Sequence, residues 1–424
     1  MRASSWRVSV VLTCAFLLPG WAMAGDLAQM ARSLVSKSEM DAAAVSMLRA
    51  AGPAGMAAVF ALAEAEPELA KSPAFQAALD AVCAQKDCAA SRLFWYTDLE
   101  AAKAEAARSG KPILSLRLLG RLDEELSCAN SRFFRTVLYA DEVISGHMRK
   151  DWVLHWQSVR PVPKVTVDFG DGRRLEGTIT GNSLHYLLDS KGRVVDALPG
   201  LHAPEIFRSA LSEAESNARE LGRLSDNDFS AALAALHLQS YLTRERTLAR
   251  YLRKGDAVAE ATLTAFVQRA GAYPPSPSAR QASAVSASKA IAEGPALRAL
   301  TPSQAVEPIS EDQAVALAAK AYKKRTRLSE GSRALLAGKL GRWVGAENLE
   351  DSLRRFEDLI AEDTARNELL LHAAINARLS EATAVPELDE LTDWIYETLF
   401  LSPQEDPWMG LAPREVYSVL TPVP

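Results

Sequence analysis

Cys128 has the widest chemical scope in this chain, because it opens a helical pattern directly after an apolar strand, with Ser131 three positions on. A sulfur in the first turn of a helix feels the positive end of the helix dipole and nearby unpaired N–H groups, both of which favour thiolate over thiol. Arg132 and Arg135 follow closely and add positive charge, whereas Asp123, Glu124 and Glu125 just upstream oppose it. Reaching solvent, such a cysteine is a nucleophile near neutral pH. The alternative is a small buried core residue. His185 lies on a later apolar strand; facing Cys128 it would make a Cys–His pair or half of a metal site, and otherwise it is a hydrogen-bonded core histidine. His155, between Val153-Leu154 and Trp156, has the same two readings. The six histidines form no His-Glu-x-x-His and no close Cys/His cluster, so neither a dedicated metal site nor a cofactor is expected. Asp168-Phe169-Gly170 matches a kinase triplet, but no glycine-rich or catalytic-loop motif accompanies it, and Asp-Gly turn chemistry accounts for it.

The elements that must position these residues cluster in one stretch. Asp98 to Arg108 predicts a capped helix ended by Ser109-Gly110, and Ile113 to Leu119 an apolar strand. A second helix is expected through Phe133 to Met148 and a strand over Trp152 to Trp156. Val165–Phe169 and Arg174–Thr180 flank Gly170-Asp171-Gly172, a strong hairpin signal. Leu184–Leu188 and Val194–Ala197 form another strand pair, closed by a helix from Pro204. Strands and helices alternate only here. Before about residue 90 and beyond about 216 the spacing of apolar residues predicts helices alone.

The first residues have the layout of a secretory signal: Arg2 and Arg7, an apolar run from Val8 to Leu18, a Pro19-Gly20 breaker and the small-x-small site Ala22-Met23-Ala24. Cleavage is expected after Ala24, because a run of about 11 residues is too short for a bilayer, which needs roughly 20. Cys14 leaves with the signal. Periplasmic or secreted location follows, and no later segment is apolar enough to span a membrane. In such a compartment Cys83 and Cys88 are expected to pair around Gln85-Lys86-Asp87, leaving Cys128 alone. The net charge of −5, more negative still without Arg2 and Arg7, argues against nucleic acid and anionic membrane surfaces as partners. The expected organisation is a signal peptide over 1–24, a helical segment over 25–90, an α/β domain over 91–216, and a helical domain over 217–424 with a Pro/Ser/Ala-rich linker near 273–308. Trp394, Tyr396, Phe400, Trp408 and Tyr417 concentrate aromatic rings near the C-terminus, either as a tail folded back onto the helical domain or as a protein-partner surface.

The stretch from Lys111 to Val143, with Ser127-Cys128-Ala129-Asn130-Ser131 between strand and helix, resembles the active-site segment of the thioredoxin-like family in its secreted forms. Gly181-Asn182-Ser183-Leu184-His185 and Gly192-Arg193-Val194 look like the loop, strand and hairpin that face the cysteine in that fold. The resemblance covers roughly residues 94–215. It implies a thioredoxin-like α/β domain, a mixed sheet with flanking helices, placed between an all-α N-terminal segment and an all-α C-terminal domain. It also implies substrate docking at Asn182 and Ser183. Two residues depart from the family pattern. Ser131 replaces the second, resolving cysteine, and Ser183 stands where the family has a cis-proline. A chain so altered cannot close an internal disulfide at this site and is limited to mixed disulfides with protein or small-molecule thiols. Two functions are therefore expected to compete. One is a monothiol thiol-disulfide oxidoreductase or isomerase-like protein acting through Cys128; the other is a non-catalytic binding or assembly protein on a degenerate scaffold.

Overall fold

The computed structural model describes residues 20–36, 39–253, 285–289, 293, 310–340 and 346–402. The chain divides into two units, Met1–Val82 and Cys83–Pro424. In the first, helix Gly20–Ser33 is followed by a two-residue antiparallel ladder of β1 (Val35–Ser36) and β2 (Glu39–Met40) and then by helices Ala42–Ala50, Pro53–Ala65 and Pro67–Ala70, and a further helix starts at Pro73. Asp41 caps the second helix by accepting from the amides of Ala43 and Ala44, and proline opens the next two in the first helical turn, where its missing N–H costs nothing. Leu34, Leu48, Val59, Phe75 and Leu79 are buried.

The second unit is built on a mixed four-stranded sheet. Asp98 caps helix Leu99–Ser109 through the amide of Ala101, and Gly110, at φ 71°, ends it. The chain then enters β3 (Ile113–Leu119), every residue of which is buried, as befits a central strand covered on both faces. β3 pairs in parallel with β4 (Val153–Arg160) and antiparallel with β7 (Ser183–Leu188), and β7 pairs antiparallel with β8 (Val194–Pro199), giving the order β4-β3-β7-β8. Beyond β4, Tyr96 forms an isolated parallel bridge with His155. Between β4 and β7, β5 (Lys164–Asp168) and β6 (Arg174–Thr178) make the expected hairpin, whose turn glycines Gly170 and Gly172 have φ of 75° and 89°.

Between β3 and β4 the chain forms helix Ala129–Phe133, which widens over Phe134–Leu138, where the Tyr139 amide reaches back five residues to Phe134 O. Asp141 then caps a separate helix, Glu142–Asp151. The single helix expected from Phe133 to Met148 is thus two, because Asp141 competes for the amides of Val143 and Ile144. Helices Pro204–Leu221 and Asp226–Arg253 follow β8; later come Ser310–Tyr322, Glu330–Leu340, Ala346–Arg366 running on into His372–Ser380, and Leu388–Trp394 running on to Leu399.

The sheet carries different chemistry on its two faces. Leu116, Ser183 and His185 share one face, where His185 lies against Phe134 and Phe207 with ring centroids 4.5 and 5.0 Å away. On the other, the Tyr186 hydroxyl is 3.0 Å from Thr392 Oγ1 on the C-terminal helix. One apolar core takes in Leu116, Tyr186 and Leu198 of the sheet together with Ile360, Leu391 and Phe400 from beyond residue 340. The sheet and the C-terminal helices therefore belong to a single unit. Within the stretch expected to be a linker, the described residues Ser286, Lys289 and Glu293 are buried. Asp363 anchors residues 286–288, accepting from the amides of Ala287 and Ser288 and from the hydroxyls of Ser286 and Ser288.

Candidate functional site

Cys128 follows β3 through a loop that returns its amide to Leu119 O at 3.3 Å, and it occupies the residue before helix Ala129–Phe133 with extended dihedrals (φ −56°, ψ 157°). The sulfur acts as the helix cap, accepting from the Ser131 amide at 3.4 Å. That is the local arrangement expected from the Cys-x-x-Ser spacing. Its surroundings are closed. Cys128 has no solvent exposure, and its Sγ is 2.9 Å from Ser183 Oγ and 3.4 Å from Ser131 Oγ.

The loop carrying Gly181, Asn182 and Ser183 forms the lid over this sulfur. A side-chain carbon on Gly181 would stand 2.2 Å from Cys128 Cβ, so only glycine lets the loop approach so closely. Asn182 is pinned from the far side: its Oδ1 accepts from Lys289 Nζ and from Asn130 Nδ2, each at 3.4 Å, and its carbonyl accepts from the Tyr396 hydroxyl at 3.0 Å. Lys289 is completely enclosed, with Glu293 Oε2 3.9 Å from its ammonium. Burial pushes the Lys289 ammonium down from its usual range, and Glu293 is the main group pushing back. Tyr396 is buried too, and burial raises its phenol well above the usual value.

The structure thus brings Cys128, Ser131, Asn182 and Ser183 together. His185 shares the sheet face of Ser183 but makes its hydrogen bond elsewhere, with Nε2 2.6 Å from the Tyr139 hydroxyl. Burial, helped by the charge of His202, pushes the His185 imidazole down to about 3, so it is neutral at physiological pH. His155 bonds through Nδ1 to Ser115 Oγ at 2.8 Å and is likewise pushed down to about 3, by burial and then by Arg117. The charged neighbours of Cys128 also point elsewhere. Arg132 donates to Thr178 Oγ1, and Arg135 reaches Ser127 Oγ, Glu125 O and Asp87. Asp123 is held by Arg121, and Glu125 by Lys339.

A cavity of about 840 Å³ opens beside the Cys128 helix rather than over the sulfur, lined by Ala129, Arg132, Phe133, Leu336, Lys339 and Phe356. Cys83 and Cys88 are joined in a disulfide, as expected from their spacing. Residues 403–424, with Trp408 and Tyr417, lie outside the described residues, whereas Tyr396 and Phe400 are core groups. Three participants were not anticipated from sequence. Gly181 was seen only as part of a loop, Tyr396 only as one of several C-terminal aromatics, and Lys289 gave no signal at all.

No family model, curated protein or solved structure matches this chain.

Proposed function

We propose that this protein is an extracytoplasmic thioredoxin-like scaffold that works by binding a protein partner rather than by thiol exchange, with Cys128 as a structural thiol. The carrying observation is the closure of the sulfur: Cys128 has no exposure, serine hydroxyls occupy its polar contacts, and Gly181 packs against its Cβ. Thiol exchange requires in-line attack by an accessible sulfur, and access here requires the Gly181–Ser183 loop to part from Lys289 and Tyr396.

The thioredoxin-like part of the reading is supported by connectivity. A strand leads into a cysteine-capped helix, a parallel strand follows, and two antiparallel strands and a helix close the unit, in the order the resemblance implies. The hairpin β5–β6 is an insertion between those halves. Extracytoplasmic location is supported by the signal-like N-terminus and by the Cys83–Cys88 disulfide, which persists in oxidising compartments. Among the described residues no helix is long and apolar enough to cross a membrane.

The competing monothiol reading rests on the same sulfur's place at a helix start, where an amide points at it. Alkylation of the folded, natively purified protein separates the two. Cys128 is expected to resist a small maleimide while folded and to react fully after unfolding. Rapid labelling of the folded protein, or a glutathione adduct on Cys128, would refute the binding reading and restore the monothiol one.

A further inference from the structure

Away from Cys128, helix Glu142–Asp151 presents His147 and Asp151 one turn apart, and helix Pro204–Leu221 presents Glu215 to both. His147 Nε2 stands 3.0 Å from Glu215 Oε2 and 3.9 Å from Asp151 Oδ2, and the three donor atoms lie within 4.8 Å of one another. The side chains are 15, 19 and 20 % exposed, so the donors are held by their helices yet open to solvent on one side. Arg219 donates to the second Glu215 oxygen, Oε1, at 2.7 Å, which fixes the carboxylate with Oε2 turned toward the imidazole.

We propose that His147, Asp151 and Glu215 form a binding site for a zinc-like divalent cation. Tetrahedral zinc, at about 2.1 Å from nitrogen and oxygen donors, sets its ligands about 3.4 Å apart. The observed 3.0 and 3.9 Å lie on either side of that spacing and the third separation is no more than 4.8 Å, so rotation of the two carboxylates would bring all three donors to one ion. One imidazole and two carboxylates supply three ligands, and the open side leaves the fourth position to water or a small ligand. This donor set suits zinc, cobalt or nickel better than magnesium or calcium, which take six or more oxygens. Arg219 acts as a positioning residue, in the way that outer partners orient metal ligands generally.

The test uses the full-length exported protein stripped of metal, titrated with zinc by calorimetry and with cobalt by visible absorption. One site is expected, with the absorption bands of tetrahedral cobalt, and no binding of magnesium at the same concentrations. His147→Ala, Asp151→Asn and Glu215→Gln should each weaken zinc by roughly tenfold or more. Asp151→Asn keeps the size of the side chain and guards against a folding defect in the others, which circular dichroism would reveal. Cys128→Ser should leave zinc binding unchanged. Absence of binding, zinc affinity unchanged from the parent in His147→Ala and Glu215→Gln, or loss of zinc only in Cys128→Ser would each overturn the proposal.

Discussion

Gly181→Ala probes the packing on which the closed thiol depends. The new methyl carbon would lie 2.2 Å from Cys128 Cβ, 3.1 Å from its Cα and 3.3 Å from Val162 Cγ2. Ordinary carbon contacts are about 3.5–4.0 Å, so the loop or the helix start must retreat by more than about 1 Å. Neither moves freely. Cys128 is tied to Leu119 and Arg132 through its backbone, Ser183 is registered against Leu118, and Asn182 is held by Lys289 and Tyr396. The cost should therefore reach the upper part of the range of about 1–3 kcal/mol typical of overpacking. A double-mutant cycle identifies the cause. Cys128→Ala keeps the offending Cβ, so its effect should add to that of Gly181→Ala within about 0.5 kcal/mol. Cys128→Gly removes the Cβ and should recover about 1 kcal/mol or more of the Gly181→Ala cost, its own penalty cancelling in the cycle. Denaturant midpoints at constant slope, followed through the buried tryptophans Trp95 and Trp156, give the four values. A Gly181→Ala protein as stable as the parent, or equal relief from Cys128→Ala and Cys128→Gly, would refute the reasoning.

Acid should destabilise the second unit through its buried histidines. His155 and His185 stand at about 3 folded against about 6.5 unfolded, so the unfolded chain binds more protons between those values and stability falls as pH drops through that window. His372 works in the opposite sense. Burial and Arg244 lower it, but Asp196 and Glu368 more than compensate, so its contribution is complete below about 6.5 and lost as pH rises through its elevated folded value. Below about 6.5 His372 is protonated in both states and offers no opposition, while His237, which burial also lowers, adds to the loss, so the thermal midpoint should fall from pH about 6.5 to about 4, and less steeply in His185→Gln; a flat or rising midpoint would contradict this. For the disulfide, non-reducing peptide mapping should recover Cys83 joined to Cys88, and selective reduction should cost about 2 kcal/mol, the loop-closure entropy of so short a ring. A linkage of Cys128 to either partner would overturn both this and the closed-thiol reading.

Much of the second unit was legible locally. The caps at Asp98 and Gly110, the uniformly apolar run from Ile113 to Leu119 and the Gly170-Asp171-Gly172 turn each act over a few residues, so their sequence signals survive into the fold. The place of Cys128 at a helix start and the pairing of Cys83 with Cys88 were fixed at the same short range. What short-range patterns do not carry is which surfaces meet. The break at Asp141 depends on a cap competing with helix continuation, and the Pro/Ser/Ala composition of 273–308 hides the burial of Ser286, Lys289 and Glu293, because their partners are distant in sequence: Ser286 donates to Asp363, Lys289 to Asn182, and Glu293 accepts from the Thr180 amide.

The same distinction governs the site. Sequence alone determined the residue types: a cysteine left over once Cys83 and Cys88 pair and Cys14 leaves with the expected signal, a serine in place of its resolving partner, and a loop of Gly181, Asn182 and Ser183 able to come close to it. Only tertiary structure decided that His185 bonds to Tyr139, that Lys289 and Tyr396 close over Asn182, and that the sulfur lies in the core. The reactivity of a thiol depends on solvent access and on the groups around it, and here those groups come from segments more than a hundred residues apart.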